Sequence, residues 1–117
     1  MKTISILLII LLSIGLAHAS HPDCANSKGW ARSLGYYYFK KAKLLRPGDF
    51  DHKRLHVIRL ASEQVDDDLF RQVHYFSYEK LNGENISLVL TNAASSSECP
   101  LGSVNAYVVS QVLDYNN

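Results

Sequence analysis

Two cysteines, five histidines and a run of three aspartates are the residues of this 117-residue chain whose types can do chemistry. Cys24 and Cys99 stand far apart and in no C-x-x-C or Cys/His ligand spacing. A single disulfide is therefore the simplest use of the pair, ahead of a cysteine nucleophile or a metal pair. His52 and His56 have the spacing that aligns two ligands on a helix, but here it spans a turn entering a strand, so zinc ligation does not follow. His74 alternates with apolar neighbours; beside a carboxylate it would act as a general base, and otherwise it is structural. Asp66-Asp67-Asp68 offers hard oxygen ligands for calcium without the glycine and spaced ligands of an EF-hand loop. As adjacent like charges, the three read as a solvated hairpin tip. Neither a Gly-x-Ser-x-Gly elbow nor a glycine-rich phosphate loop is present. The expectation is a protein that is not an enzyme and needs no metal or cofactor.

The ends and composition set the context for these residues. Lys2, an apolar run from Ile4 to Leu16 and the small residues of Ala17-His18-Ala19 have the order of a secretory leader with cleavage after Ala19. The run is shorter than the roughly 20 residues a spanning helix needs, which argues against a membrane anchor and for no stable membrane insertion. Residues 1–19 are thus expected as a signal peptide and 20–117 as a single domain, secreted and extracellular, where a Cys24–Cys99 bridge would form. Asn85-Ile86-Ser87 is a glycosylation sequon just past Asn82-Gly83. Charge is nearly balanced but segregated: residues 23–59 hold nine Lys/Arg against three Asp/Glu, and residues 60–117 hold two against eight. That contrast reads as a basic helical face and an acidic sheet end, or as an ordinary solvated surface neutralised across the fold. It is far from the basic excess of a nucleic-acid binder.

The elements that must position these residues follow from period. Ser27 can cap a helix, and Trp30, Leu34, Tyr37, Tyr38, Ala42 and Leu45 keep helical spacing until Pro47-Gly48 stops it, about four turns on. Tyr36 and Phe39 fall at the edges of that stripe. Gly35 inside the helix costs about 1 kcal/mol relative to alanine, which a close helix-to-sheet approach would explain. From Leu55 onward the period changes to two. His56, Ile58 and Leu60 alternate with Leu55, Val57 and Arg59; a second run covers Val73 to Tyr78; Asn82-Gly83 marks a hairpin; Ile86–Thr91 and Val104–Val112 complete the set. The economical fold is α+β, one amphipathic helix laid across a four- to five-stranded antiparallel sheet. Trp30, Leu34, Tyr38, Ile58, Val73 or His74, Leu88 and Val108 are its candidate core.

The run LHVIRLASEQV followed by HYFSYEKL, behind one helix in a small domain with a leader, resembles the cystatin family over roughly residues 27–113. The resemblance implies a wedge that enters the cleft of papain-like cysteine proteases. In that family the wedge is formed by a Gln-x-Val-x-Gly loop, a glycine-bearing N-terminal segment and a second hairpin with Pro-Trp. Here Gln64 and Val65 match the first loop, and Asp66, Asp67 and Asp68 stand where small or apolar residues and the glycine would be, followed by Leu69. The spacing to Tyr75 implies an extended loop. Pro100-Leu101 supplies the proline of the second hairpin without the tryptophan, and Gly29 is the only glycine between the expected cleavage site and the helix. A Cys24–Cys99 bridge departs from the family's usual pair of C-terminal disulfides. The implied function is reversible inhibition of an extracellular or lysosomal cysteine protease by a monomer, through Gln64–Leu69 and Pro100-Leu101. The alternative is a non-inhibitory secreted binding, defence or venom protein on the same scaffold, using Lys40, Lys41 and Lys43.

Overall fold

The computed structural model describes residues 20–26, 29–110 and 113; the expected leader, the Ser27 cap and Val112 lie outside these. Helix α1 spans Trp30–Lys41. Strands β1 (Leu55–Asp66), β2 (Leu69–Glu79), β3 (Asn85–Ala94) and β4 (Leu101–Val109) form one open antiparallel sheet in sequence order. The architecture is α+β, one helix packed against four strands.

Alternation along β2 and β3 explains which face the helix covers. Phe70, Gln72, His74, Phe76 and Tyr78 point inward from β2, and Ile86, Leu88, Leu90, Asn92 and Ala94 from β3; all are buried. Of the core candidates Val73 or His74, it is His74 that is inside. Two others are corrected. Ile58 lies opposite Tyr75 on the open face and is 55 % exposed, because Leu55 and Val57 are the β1 residues that meet the core. Val108 lies opposite inward-facing Leu88 but on the edge strand, where it stays 48 % exposed.

The helix buries a different stripe from the expected one. Ala31, Gly35 and Phe39, spaced at four residues, are buried, with Trp30, Leu34 and Tyr38 packed beside them. Tyr37 is turned out, its ring under the Lys41 ammonium at 5.6 Å, and Lys40 covers Tyr36 at 4.7 Å. Four consecutive aromatics widen the apolar stripe beyond what one face can bury, and Gly35 marks the line of closest approach. A Cβ there would lie 3.1 Å from the Leu55 side chain and 3.3 Å from Phe76, and only a residue without one lets the helix approach so closely.

The helix also ends earlier than Pro47. After Lys41 the chain closes a Schellman motif: Lys43 N–H donates to Lys40 C=O and Leu44 N–H to Phe39 C=O, both at 2.9 Å. Lys43 takes the left-handed position at φ 60°, a conformation that costs a side-chain-bearing residue about 1–2 kcal/mol. Replacing Lys43 with glycine is expected to raise stability by about 0.5–1 kcal/mol, visible as a higher urea midpoint at unchanged slope. Beyond the cap, the Tyr78 hydroxyl accepts from Asp51 N–H at 2.9 Å and donates to Asp49 C=O at 3.0 Å, pinning the connection into β1.

Candidate functional site: an edge of three segments

Because the strands form an antiparallel meander, the end of β1, both ends of the β1–β2 turn, the end of β3 and the start of β4 lie at the same end of the sheet. Two hairpin connections meet there. The expected extended loop over Gln64–Asp68 is instead mostly strand: Gln64 pairs with Phe70 and Asp66 with Leu69, leaving only Asp67 and Asp68 as the turn. A register shift between Gln64 and Asp66 makes Val65 the extra residue of a bulge, and it stands 42 % exposed. Asp66 Oδ1 accepts from Asp67 N–H at 2.8 Å, and Gln64 Nε2 donates to the Asp66 carbonyl at 3.4 Å. Asp68 sits at φ 45°, which aspartate tolerates better than most residues.

Asp68 ties this turn to the next. Its carboxylate accepts from both the Ser96 backbone N–H and the Ser96 hydroxyl, each at 2.8 Å. In the β3–β4 loop the exposed stretch is Ser96 to Glu98, with Pro100 and Leu101 half-buried behind it and Leu101 already paired with Ala93. Leu69 is likewise half-buried, opening β2.

The third segment is the arm Ser20–Asp23. Cys24 and Cys99 are disulfide-bonded, with Cα atoms 5.7 Å apart, which anchors the arm's root to the β3–β4 loop. The Pro22 carbonyl accepts from Gln72 Nε2 at 2.8 Å and Arg59 Nη1 at 3.0 Å. Ser62 Oγ binds Gln72 Nε2 at 3.1 Å and also meets the His21 ring, which packs edge-on against Phe70 with centroids 5.0 Å apart. A cleft of about 370 Å³ runs between the arm and the loop, lined by Pro22, Asp23, Trp30 and Ser95–Cys99.

Of the residues singled out from the sequence, Gln64 to Leu69 and the Pro100-Leu101 loop are brought to one end by the fold. Pro22, Ser62, Gln72 and Ser96, which join the three segments, were not among them; the inferred Cys24–Cys99 bridge was the one sequence signal that would have drawn the arm to this end. Asn85 is exposed at the start of β3, opposite Glu79 and therefore at the far end of the sheet.

Under the edge lies a buried polar group. His74 is fully buried, its Nδ1 2.9 Å from Asn92 Oδ1, and Trp30 packs edge-on against it at 5.4 Å. An amide oxygen rather than a carboxylate faces the ring, so neutral His74 donates Nδ1–H to Asn92, a positional role rather than that of a paired general base. Burial pushes its pKa below the usual 6.5, with the Asn92 hydrogen bond opposing and nearby Arg59 adding to the effect. The unfolded chain therefore binds a proton that the folded one resists. Stability from this group is fully present above pH 6.5 and declines as pH falls towards the lowered folded value, with a slope of at most about 1.4 kcal/mol per pH unit. Denaturation series from pH 7.5 to 5 are expected to show this decline, reduced in His74→Gln.

Among the described residues no cluster of three His, Cys, Asp or Glu side chains suits a metal ion, and no helix is long and apolar enough to cross a membrane. Comparison with family models, curated proteins and solved structures finds no match. What the fold and the edge define is a class: a small, disulfide-linked α+β domain whose three sequence-distant segments form one end.

Proposed function

We propose that the protein is a secreted, non-enzymatic, cystatin-like inhibitor whose three-segment edge occludes the cleft of a papain-like cysteine protease, extracellular or lysosomal. One observation carries this reading: the arm, the Gln64–Leu69 hairpin and the Ser95–Leu101 loop converge at one sheet end and are joined by the Asp68–Ser96 hydrogen bonds and the Cys24–Cys99 bond. Convergence is what a wedge requires, since no single hairpin fills a cleft. Val65, raised on its bulge, is the apolar contact, while the exposed Asp66 and Asp67 carboxylates remain at the rim, where a basic partner surface would meet them. Cleavage after Ala19 and a glycan on Asn85 belong to the same reading, and the glycan would lie away from the edge.

The test is titration of the oxidised, processed chain against papain and a cathepsin, following residual activity with a small fluorogenic substrate. Stoichiometric, reversible loss of activity is expected. Val65→Asp is expected to weaken inhibition about tenfold or more, because the complex would then desolvate a carboxylate. Full protease activity at saturating protein would remove this function.

The alternative rests on the opposite end. Lys40 and Lys41 close the helix, and just beyond it Lys43 lines one pocket with Arg46, Asp49 and Lys80 beside the β2–β3 turn, where Lys80 pairs with Glu84 at 3.4 Å. A non-inhibitory protein using this face would bind an anionic partner with an affinity that falls steeply with salt and is lost on charge reversal at these lysines.

A further inference from the structure

We propose that the N-terminal arm is an acid-released element of the edge, held at neutral pH and let go when His74 takes up a proton. The proposal rests on the arm's being part of the docking edge, and it adds a regulation to it. Arg59 is the link. It lies directly opposite His74 in the β1–β2 register, and its guanidinium is one of the two donors that hold the Pro22 carbonyl. The other donor, Gln72, is two residues from His74 on the same inward face. A neutral imidazole leaves Arg59 undisturbed and satisfies Asn92. An imidazolium formed here puts a second positive charge on the residue paired with Arg59, and the two repel, partly screened because the guanidinium side is exposed.

Every element around His74 bears on the outcome. Helix α1 contributes the Trp30 ring, which is uncharged; β3 contributes Asn92, which accepts from Nδ1 in both states; β1 contributes Arg59, which repels; and the arm contributes Asp23, whose carboxylate favours the charged ring. Asp23 belongs to the element being released, so its attraction opposes departure only while the arm is seated. Arg59 is itself exposed and can relieve the repulsion by swinging into water, which removes its hydrogen bond to Pro22. The arm would then pivot about Cys24, whose bond to Cys99 keeps it tethered.

The test needs no protease, so it separates from the test of inhibition. Backbone ¹⁵N relaxation of His21 and Asp23, the arm residues with a readable amide N–H, is measured in the free oxidised protein at pH 7.5 and pH 5. Order parameters near 0.85 at neutral pH are expected to fall below about 0.6 at pH 5. His21→Gln, which removes the ring's contacts to Ser62 and Phe70, is expected to raise the arm's mobility at both pH values yet keep the fall between them, and His74→Gln to lose that fall with the arm ordered at both pH values. In Arg59→Gln, which removes the guanidinium and its charge, the arm is expected to be equally mobile at both. An arm whose order is the same at both pH values in the unmodified protein would overturn the proposal. So would a response that disappears in His21→Gln, or one that persists in Arg59→Gln; the last variant decides the matter should His74→Gln fail to fold.

Discussion

Removing the Cys24–Cys99 bond by paired alanine substitution is expected to lower the unfolding free energy by about 4 kcal/mol, the chain-entropy value for a loop spanning most of the domain. The two residues are 75 positions apart, so the bond restricts nearly the whole unfolded ensemble. In the folded state it does something more local, fixing the root of the arm to the β3–β4 loop. Both effects have a readout. Urea unfolding of the double variant gives the global loss, and reduction of the native protein with dithiothreitol should reproduce it. A loss below about 1 kcal/mol would mean that the unfolded chain is already compact or that the bond is strained, and that the bond is not the domain's main restraint.

Phe39→Ala is expected to cost about 3–5 kcal/mol, whereas Tyr37→Ala should stay within about 0.5 kcal/mol. Phe39 is fully buried in the cluster with Phe76, Tyr78, Leu88 and Leu90, its ring 6.0 Å from Tyr78. Tyr37 is 47 % exposed and contacts mainly Tyr38 and Lys41. Sequence periodicity ranks these two the other way, with Tyr37 in the stripe and Phe39 at its edge. Paired measurements of thermal and urea unfolding therefore discriminate between the two helix orientations. Equal costs, or a larger cost for Tyr37→Ala, would mean that the helix is rotated from the one described.

The contrast shows where sequence reasoning had purchase. The change of period at Leu55, the Asn82-Gly83 turn and the alternation in β2 and β3 were sufficient for one helix and four consecutive antiparallel strands, because each signal is local. At Asn82-Gly83, glycine alone uses positive φ, at 85°, and the turn is wider than a two-residue hairpin. In β1, Leu55 and Val57 share one face and Ile58 lies on the other, so alternation alone allowed either set to be the buried one. The bulge at Leu60 then shifts the pairing, setting Arg59 opposite His74 and Ala61 opposite Val73. Tyr36 to Phe39 widened the apolar stripe beyond what one face can bury, and the line of closest approach is marked by Gly35 against Leu55.

The site divides in the same way. Gln64, Val65 and the acidic run were visible as residues, and the two cysteines predicted a long-range join. The Asp68–Ser96 and Gln72–Pro22 hydrogen bonds have sequence separations of 28 and 50, and no local pattern announces a side chain that closes such a distance. Only the folded chain supplies those pairs.

If arm, hairpin and loop act as one docking edge, a protease bound there shields all three together. Hydrogen exchange of the protein alone and bound to papain tests it most directly. Concerted protection of peptides covering 20–24, 64–69 and 95–101 is expected, with the 30–41 helix unchanged. Protection confined to the helix and its lysines, or no protection at the three segments at saturating protease, would contradict it.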